Sequence, residues 1–154
     1  MPFTGQAEAI IDAKQRLAIP AKFRSRWNPD TDGPTWYCVP WPQDGVLRLY
    51  TEKQYESMPL AQGVTNSLTP DQNLADLQTA IYGNSEQLNI DANNRIRLQA
   101  WHLELVGMPK DVMIIGAGDR LEVRSQEQWK RERQQRFNDL RRLVDQRENG
   151  TSTS

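Results

Sequence analysis

Cysteine and histidine are nearly absent from the 154 residues. Cys38 stands alone, so no disulfide can close within the chain, and with His102 as the one histidine a zinc cage of cysteine and histidine ligands is out of reach. Long apolar runs are missing as well. The longest clean one, residues 112–115, falls far short of the ~20 residues that a membrane span requires. Acidic Glu8 precedes every basic side chain, so no signal peptide is expected and the reading is a cytoplasmic protein. Neither charge sign prevails: 19 Lys and Arg stand against 20 Asp and Glu, and total charge therefore points to no polyanionic partner. The distribution says more. Residues 1–27 and 130–154 each carry three excess positive charges and residues 28–85 five excess negative ones, which permits one positive face on a near-neutral molecule.

What the chain does have is self-similarity. Ile11-Asp12-Ala13-Lys14-Gln15-Arg16-Leu17-Ala18-Ile19 aligns with Ile90-Asp91-Ala92-Asn93-Asn94-Arg95-Ile96-Arg97-Leu98, each with Asp-Ala-x-x-Arg between apolar flanks. Further on, Leu47-Arg48-Leu49-Tyr50-Thr51 matches Leu121-Glu122-Val123-Arg124-Ser125. Each copy predicts the same elements: a tight turn at the Asp-Ala-x-x-Arg segment, a strand with alternating apolar residues, a short helix over 20–27 or 99–106, then a hairpin. The hairpin strands are expected at 35–39 and 46–50, joined through the Asp44-Gly45 turn, and at 112–115 and 120–123. Thr51 with Gln54, and Ser125 with Gln128, have the spacing of a helix capping box. Between the copies a helix is expected with Thr69 as cap, Pro70 in its first turn, Leu74, Leu77 and Ile81 on one face and Gly83 as its stop.

This divides the chain into a first repeat (3–57), a linker with a helix (58–84), a second repeat (85–129), a C-terminal helix (130–147) and a disordered tail (148–154). One copy has too few strands to bury a core alone, so the two must share one. The expected fold class is mainly β with flanking helices, a compact barrel-like sheet of interleaved strands. Apolar helix faces such as those bearing Tyr55 and Trp129 are expected to be free for other subunits.

Several constellations invite a catalytic reading and do not sustain it. Asp12 and Asp91 are equivalent acids in a duplicated fold, as in a shared-proton carboxylate dyad. Ala-Lys and Ala-Asn follow them, however, rather than the small hydroxyl residue and glycine of such sites, and an arginine four residues on would keep each acid ionised. Each aspartate is better read as the anchor of a tight turn that orients its arginine. His102 lies between Trp101 and Leu103 and reads as a packed histidine, and Cys38 as a small buried hydrophobe. Gly116-x-Gly118 lacks the third glycine of a dinucleotide loop, so Asp119 belongs to a hairpin turn. No catalytic residue, metal ligand, cofactor or small-molecule substrate is expected. There remains the basic set Lys14, Arg16, Lys22, Arg24 and Arg26. Arginine offers guanine a planar fork and lysine offers phosphate a point charge, so nucleic acid competes here with a merely solvated face.

At these residues the sequence resembles a known family. Phe3-x-Gly5, the stretch from Ile11 to Arg24, the second Asp91-x-x-x-Arg95 and Val112-x-x-x-Gly116-x-Gly118-x-Arg120 are similar to the MraZ family of the SpoVT-AbrB superfamily, over roughly residues 3 to 137. The resemblance implies a tandem swapped-hairpin barrel, closed into a ring-shaped homo-oligomer (octamer or dodecamer) on the nucleoid. It also implies a repressor of the division and cell-wall gene cluster that binds double-stranded DNA at short direct repeats near its own promoter. It assigns Asp12, Lys14 and Arg16 to the first DNA-facing turn and Asp91 and Arg95 to the second; Lys22 and Arg24 of the basic set complete the expected DNA-binding residues. The chain departs from the family at Gln15 and Asn94, where glycine is usual, at Asn93 in place of a lysine-like residue, and at Gln99 and Leu103 in place of proline and arginine. If the position before the arginine requires a positive φ, asparagine tolerates it and glutamine does so reluctantly. Two alternatives stay open: an AbrB-type or antitoxin-like module whose tail helix grips a protein, and a small hydrolase using Asp12 and Asp91.

Overall fold

The computed structural model describes residues 2–58, 68 and 71–152, which form eight strands, seven α-helices and one 3-10 turn at Gln43–Gly45. The first copy supplies β1 (Gln6–Ile10), β2 (Arg16–Ala18), α1 (Ala21–Arg24), α2 (Pro29–Asp32), β3 (Thr35–Trp41), β4 (Val46–Thr51) and α3 (Glu52–Ser57). After α4 (Gln72–Asn84) the second copy supplies β5 (Glu86–Asn89), β6 (Arg95–Arg97), α5 (Ala100–Val106), β7 (Asp111–Gly116), β8 (Leu121–Ser125) and α6 (Gln126–Asn138), and α7 (Leu140–Ser152) follows. The hydroxyl half of each capping box forms: Thr51 Oγ accepts from the Gln54 N–H at 3.2 Å and Ser125 Oγ from the Gln128 N–H at 3.3 Å.

Six strands make one antiparallel sheet in the order β1-β7-β8-β4-β3-β5, while β2 and β6 pair separately. The copies exchange their first strands. β1 pairs with β7 (Gln6 opposite Ile115) and β5 with β3 (Thr35 opposite Asn89), while β4 and β8 meet at the centre (Leu47 opposite Val123). Swapping the two copies reads the strand order backwards unchanged, so a pseudo-twofold axis runs between β4 and β8. The sheet is open, with β1 and β5 as its edges, where the sequence alone suggested barrel-like closure. Both edge strands are short and carry only small or few apolar residues, so the sequence marks them weakly.

Alternation along the strands sends Trp36 and Cys38, Leu47 and Leu49, Val112 and Ile114, and Leu121 and Val123 into one buried cluster. Phe3, Phe23 and Trp27 close it from the first copy, Trp27 and Trp36 lying 5.5 Å apart. Full burial of one such side chain contributes roughly 1.5–3 kcal/mol, so the shared core is what joins the repeats. A second cluster holds Tyr50 and Tyr55 on the opposite face, with the Tyr55 ring stacked on Tyr37 at 4.0 Å. Tyr55 is therefore covered by its own chain rather than left for another subunit. Trp129 is half-buried, with the Arg136 guanidinium 5.3 Å above its ring and its own Nε1 donating to Gln6 Oε1.

The helices differ from expectation in detail. Asp71 caps α4 by accepting from the Leu74 N–H at 2.8 Å, and Thr69 and Pro70 lie outside the described residues. Gly83 sits inside α4, which ends at Asn84. The long C-terminal helix is broken at Asp139, a residue type that competes poorly for helix interiors. The segment from Glu148, expected to be disordered, is helical as far as Ser152, because extending an established helix costs little.

Candidate nucleic-acid interface

Each Asp-Ala-x-x-Arg segment is a turn built around its carboxylate. Asp12 Oδ1 accepts the backbone N–H groups of Lys14 (2.9 Å) and Arg16 (2.8 Å), and Oδ2 accepts Arg16 Nε at 2.7 Å. Asp91 repeats the pattern with Asn93 (2.8 Å), Arg95 (3.0 Å) and Arg95 Nε (3.0 Å). The main chain closes both loops: Gln15 donates to Asp12 O and Asn94 to Asp91 O, each at 3.0 Å. The residue before each arginine is left-handed, with φ of 62° at Gln15 and 60° at Asn94. That is the conformation for which glycine is ordinarily used, and here two amide residues bear it.

The turns are locked to each other. β2 and β6 form a ribbon of three antiparallel pairs, Arg16 with Arg97, Leu17 with Ile96 and Ala18 with Arg95. Beyond these, Ile19 N–H donates to Asn94 O (2.9 Å) and Leu98 N–H to Gln15 O (2.8 Å), so each copy's left-handed residue anchors the other copy's strand. Leu17 and Ile96 are fully buried in the shared core. With a side-chain period of two, Arg16, Ala18, Arg95 and Arg97 occupy the opposite, outer face. One turn stands at each end of the ribbon.

The electrostatics follow from this geometry. The backbone N–H of Arg16 does most to hold the Asp12 carboxyl below its usual range, and with the Arg16 guanidinium and the Lys14 N–H it outweighs the opposing effect of burial. The N–H groups of Arg95 and Asn93 and the Arg95 guanidinium do the same for Asp91. Each acid is thus ionised and spoken for by its own arginine, at opposite ends of the ribbon; a dyad sharing one proton would need the reverse on both counts. Because only Nε is engaged, the two Nη groups of Arg16 and of Arg95 have no partner among the described residues. They leave two steadied, outward guanidinium forks.

The other candidates separate. Lys14 is exposed on the first turn. Arg24 Nε donates to Ile19 O at 2.9 Å, which puts it beside the second turn. Lys22 turns the other way, its Nζ donating to Gln6 O at 3.0 Å next to β1. Cys38 is buried, and burial pushes its thiol far above the ordinary range. His102 is buried with Nε2 2.7 Å from Asn84 O, so the ring fastens α5 to the end of α4. Asp119 is held by Arg120 at 3.0 Å. Among the described residues no group of three or more potential ligands is placed to hold a metal ion, and no helix is long and apolar enough to cross a membrane. Arg97 was absent from the sequence-based site. The alternation Arg95-x-Arg97 beside buried Ile96 is the signal that could have found it.

The chain is similar to proteins of one known family. Residues 81–147, which include the second turn, match the family described as "MraZ protein, putative antitoxin-like". A protein of Chlorobium phaeobacteroides named transcriptional regulator MraZ is 33% identical over 121 residues, covering 77% of this chain and 80% of its own length. One of that name from Chlorobaculum tepidum is 34% identical over 134 residues (79% and 82%), and one from Oleidesulfovibrio alaskensis 29% identical over 140 residues (91% of each).

Proposed function

Because the chain belongs to the MraZ family of transcriptional regulators, we propose that it acts on transcription by binding double-stranded DNA through the outer face of the β2–β6 ribbon. In this reading Arg16 and Arg95 are the base readers. Lys14 and Arg24 supply charge to the backbone, and Asp12 and Asp91 aim the two forks. The observation that carries it is the pair of aspartate-clamped arginines side by side on one exposed face. A guanidinium held at Nε presents its Nη edge in a fixed direction, as bidentate recognition of guanine O6 and N7 requires. Arg16 and Arg95 are diagonal neighbours roughly 7–8 Å apart at the backbone, about two base steps of a duplex.

The proposal extends to assembly and target. A ribbon of three residue pairs covers little DNA, and single-subunit affinity would be weak. A ring of such subunits would present several ribbons to short direct repeats, each later contact gaining from the tether of the first. Such an array near the promoter of its own division and cell-wall gene cluster would exclude polymerase and repress.

The test is anisotropy titration of a fluorescent duplex taken from upstream of the gene. Arg16→Ala is expected to cost about 1–3 kcal/mol per base contact, confined to that sequence. Lys14→Ala should weaken all duplexes alike and flatten the salt dependence. An Arg16→Ala protein that binds as tightly as the unmodified one would falsify the assignment of this face. A second reading, a protein-gripping antitoxin-like module, draws on the family description and on the exposed stripe Phe137, Leu140, Leu143 and Val144. Absence of any mobility shift with upstream DNA would favour it.

A further inference from the structure

The two clamped arginines contribute direction but little net charge. Asp12 with Arg16, and Asp91 with Arg95, are each an ion pair that sums to zero. The attraction of a protein for DNA at ordinary salt, however, comes mainly from cations that displace counterions from phosphates. On the ribbon and its turns such a cation must lie outside the clamped pairs. The first turn has one in Lys14. At the equivalent position of the second turn stands Asn93, which is neutral.

Arg97 restores that charge by a different route. Its equivalent in the first copy is Ala18, so here the pseudo-twofold symmetry is broken in favour of a cation. The register sets Arg97 directly opposite Arg16, with Cβ atoms about 5 Å apart on the outer face. Like charges directly opposite each other disfavour the sheet pair. Arg97 is exposed, no carboxylate among the described residues answers it, and nothing in the fold requires a cation there. Leu98 N–H bonds to Gln15 O, which places Arg97 at the first-turn end of the ribbon with Lys14.

We propose that Arg97 is a phosphate-binding residue of the DNA interface, seating the strand backbone beside the base contact of Arg16. The inference rests on the proposed DNA-binding function and deepens it. The division of labour is physical: Arg16 and Arg95 are steadied by carboxylates and suit directional contacts to base edges, while Arg97 carries an uncompensated charge with freedom to follow a phosphate. Lys14 and Arg97 together concentrate the uncompensated charge of the ribbon and its turns at the first-turn end.

The experiment measures binding of the full-length protein to a fluorescent upstream duplex and to an unrelated duplex, across a salt series. Arg97→Ala should weaken both duplexes by the same factor and lower the slope of log K against log salt by about 0.9 for each subunit engaged. Arg97→Lys should restore both. The Arg97→Ala protein should also unfold at an equal or higher temperature, because a repulsive cross-strand pair has been removed. Unchanged affinity and slope would overturn the proposal. So would a loss confined to the upstream duplex, failure of lysine to rescue, or a clear drop in thermal stability, which would make Arg97 a structural residue. If Arg16→Ala loses affinity while Arg97→Ala does not, only this inference falls. If the unmodified protein binds neither duplex, the function it rests on falls with it.

Discussion

Gln15 and Asn94 carry the same backbone burden at unequal cost. Both sit at a φ near 60°, a region that an asparagine visits far more readily than a glutamine does. The left-handed conformation costs an L-residue roughly 1–2 kcal/mol, and a glycine there gives back roughly 0.5–1 kcal/mol in chain entropy. Gln15→Gly should therefore melt at the same temperature or slightly higher. Gln15→Val, whose branched Cβ fits this region worst, should lose on the order of 1–3 kcal/mol. Thermal unfolding followed by circular dichroism distinguishes the two. A Gln15→Val protein as stable as the parent would mean that the turn had changed shape. The carboxylates beside these residues were legible from sequence because an aspartate four residues before an arginine has few local alternatives. The positive φ was legible only as a condition, since nothing in a glutamine announces it.

Among the elements, α4 and α5 are joined by a buried histidine. Nε2 of His102 faces the last carbonyl of α4, and Nδ1 has no partner among the described residues, which is the pattern of a neutral ring donating from Nε2. Burial lowers its pKa from the ordinary 6.5, opposed by the Asn84 carbonyl and the charge of Glu86. The unfolded chain then binds the proton more readily than the folded one. His102 costs nothing above pH 6.5, and stability is lost as the pH falls below that value. Between pH 8 and pH 5.5 the urea midpoint of the parent should fall more steeply than that of His102→Gln. Equal slopes would show that the ring is not the group responsible. The strands β2 and β6 were readable from their apolar alternation, and β3, β4, β7 and β8 from the turn residues between them and from the cap residues Thr51 and Ser125. β1 and β5 were not: as edge strands they need little apolar surface, and their identity comes from the partners they pair with.

At the scale of the whole molecule, duplication yields two turns on one ribbon and one core between two copies. If several such ribbons act together, a duplex with tandem sites should bind about 10²–10⁴ times more tightly than one with a single site. That ratio should vanish in any variant that light scattering shows to be monomeric. A ratio near one in an assembled protein would separate assembly from DNA binding. The sequence by itself determined the repeat, the hairpins, the capped helices and the Asp-to-Arg turns, because each is decided by neighbours a few residues apart. Only the tertiary structure decided which strand pairs with which, that the sheet is open, that Tyr55 is covered by its own chain, and that Arg97 shares a face with Arg16. Those outcomes depend on residues far apart in the chain meeting across a shared core, and on a register in which a shift of one residue would have turned every side chain to the other side.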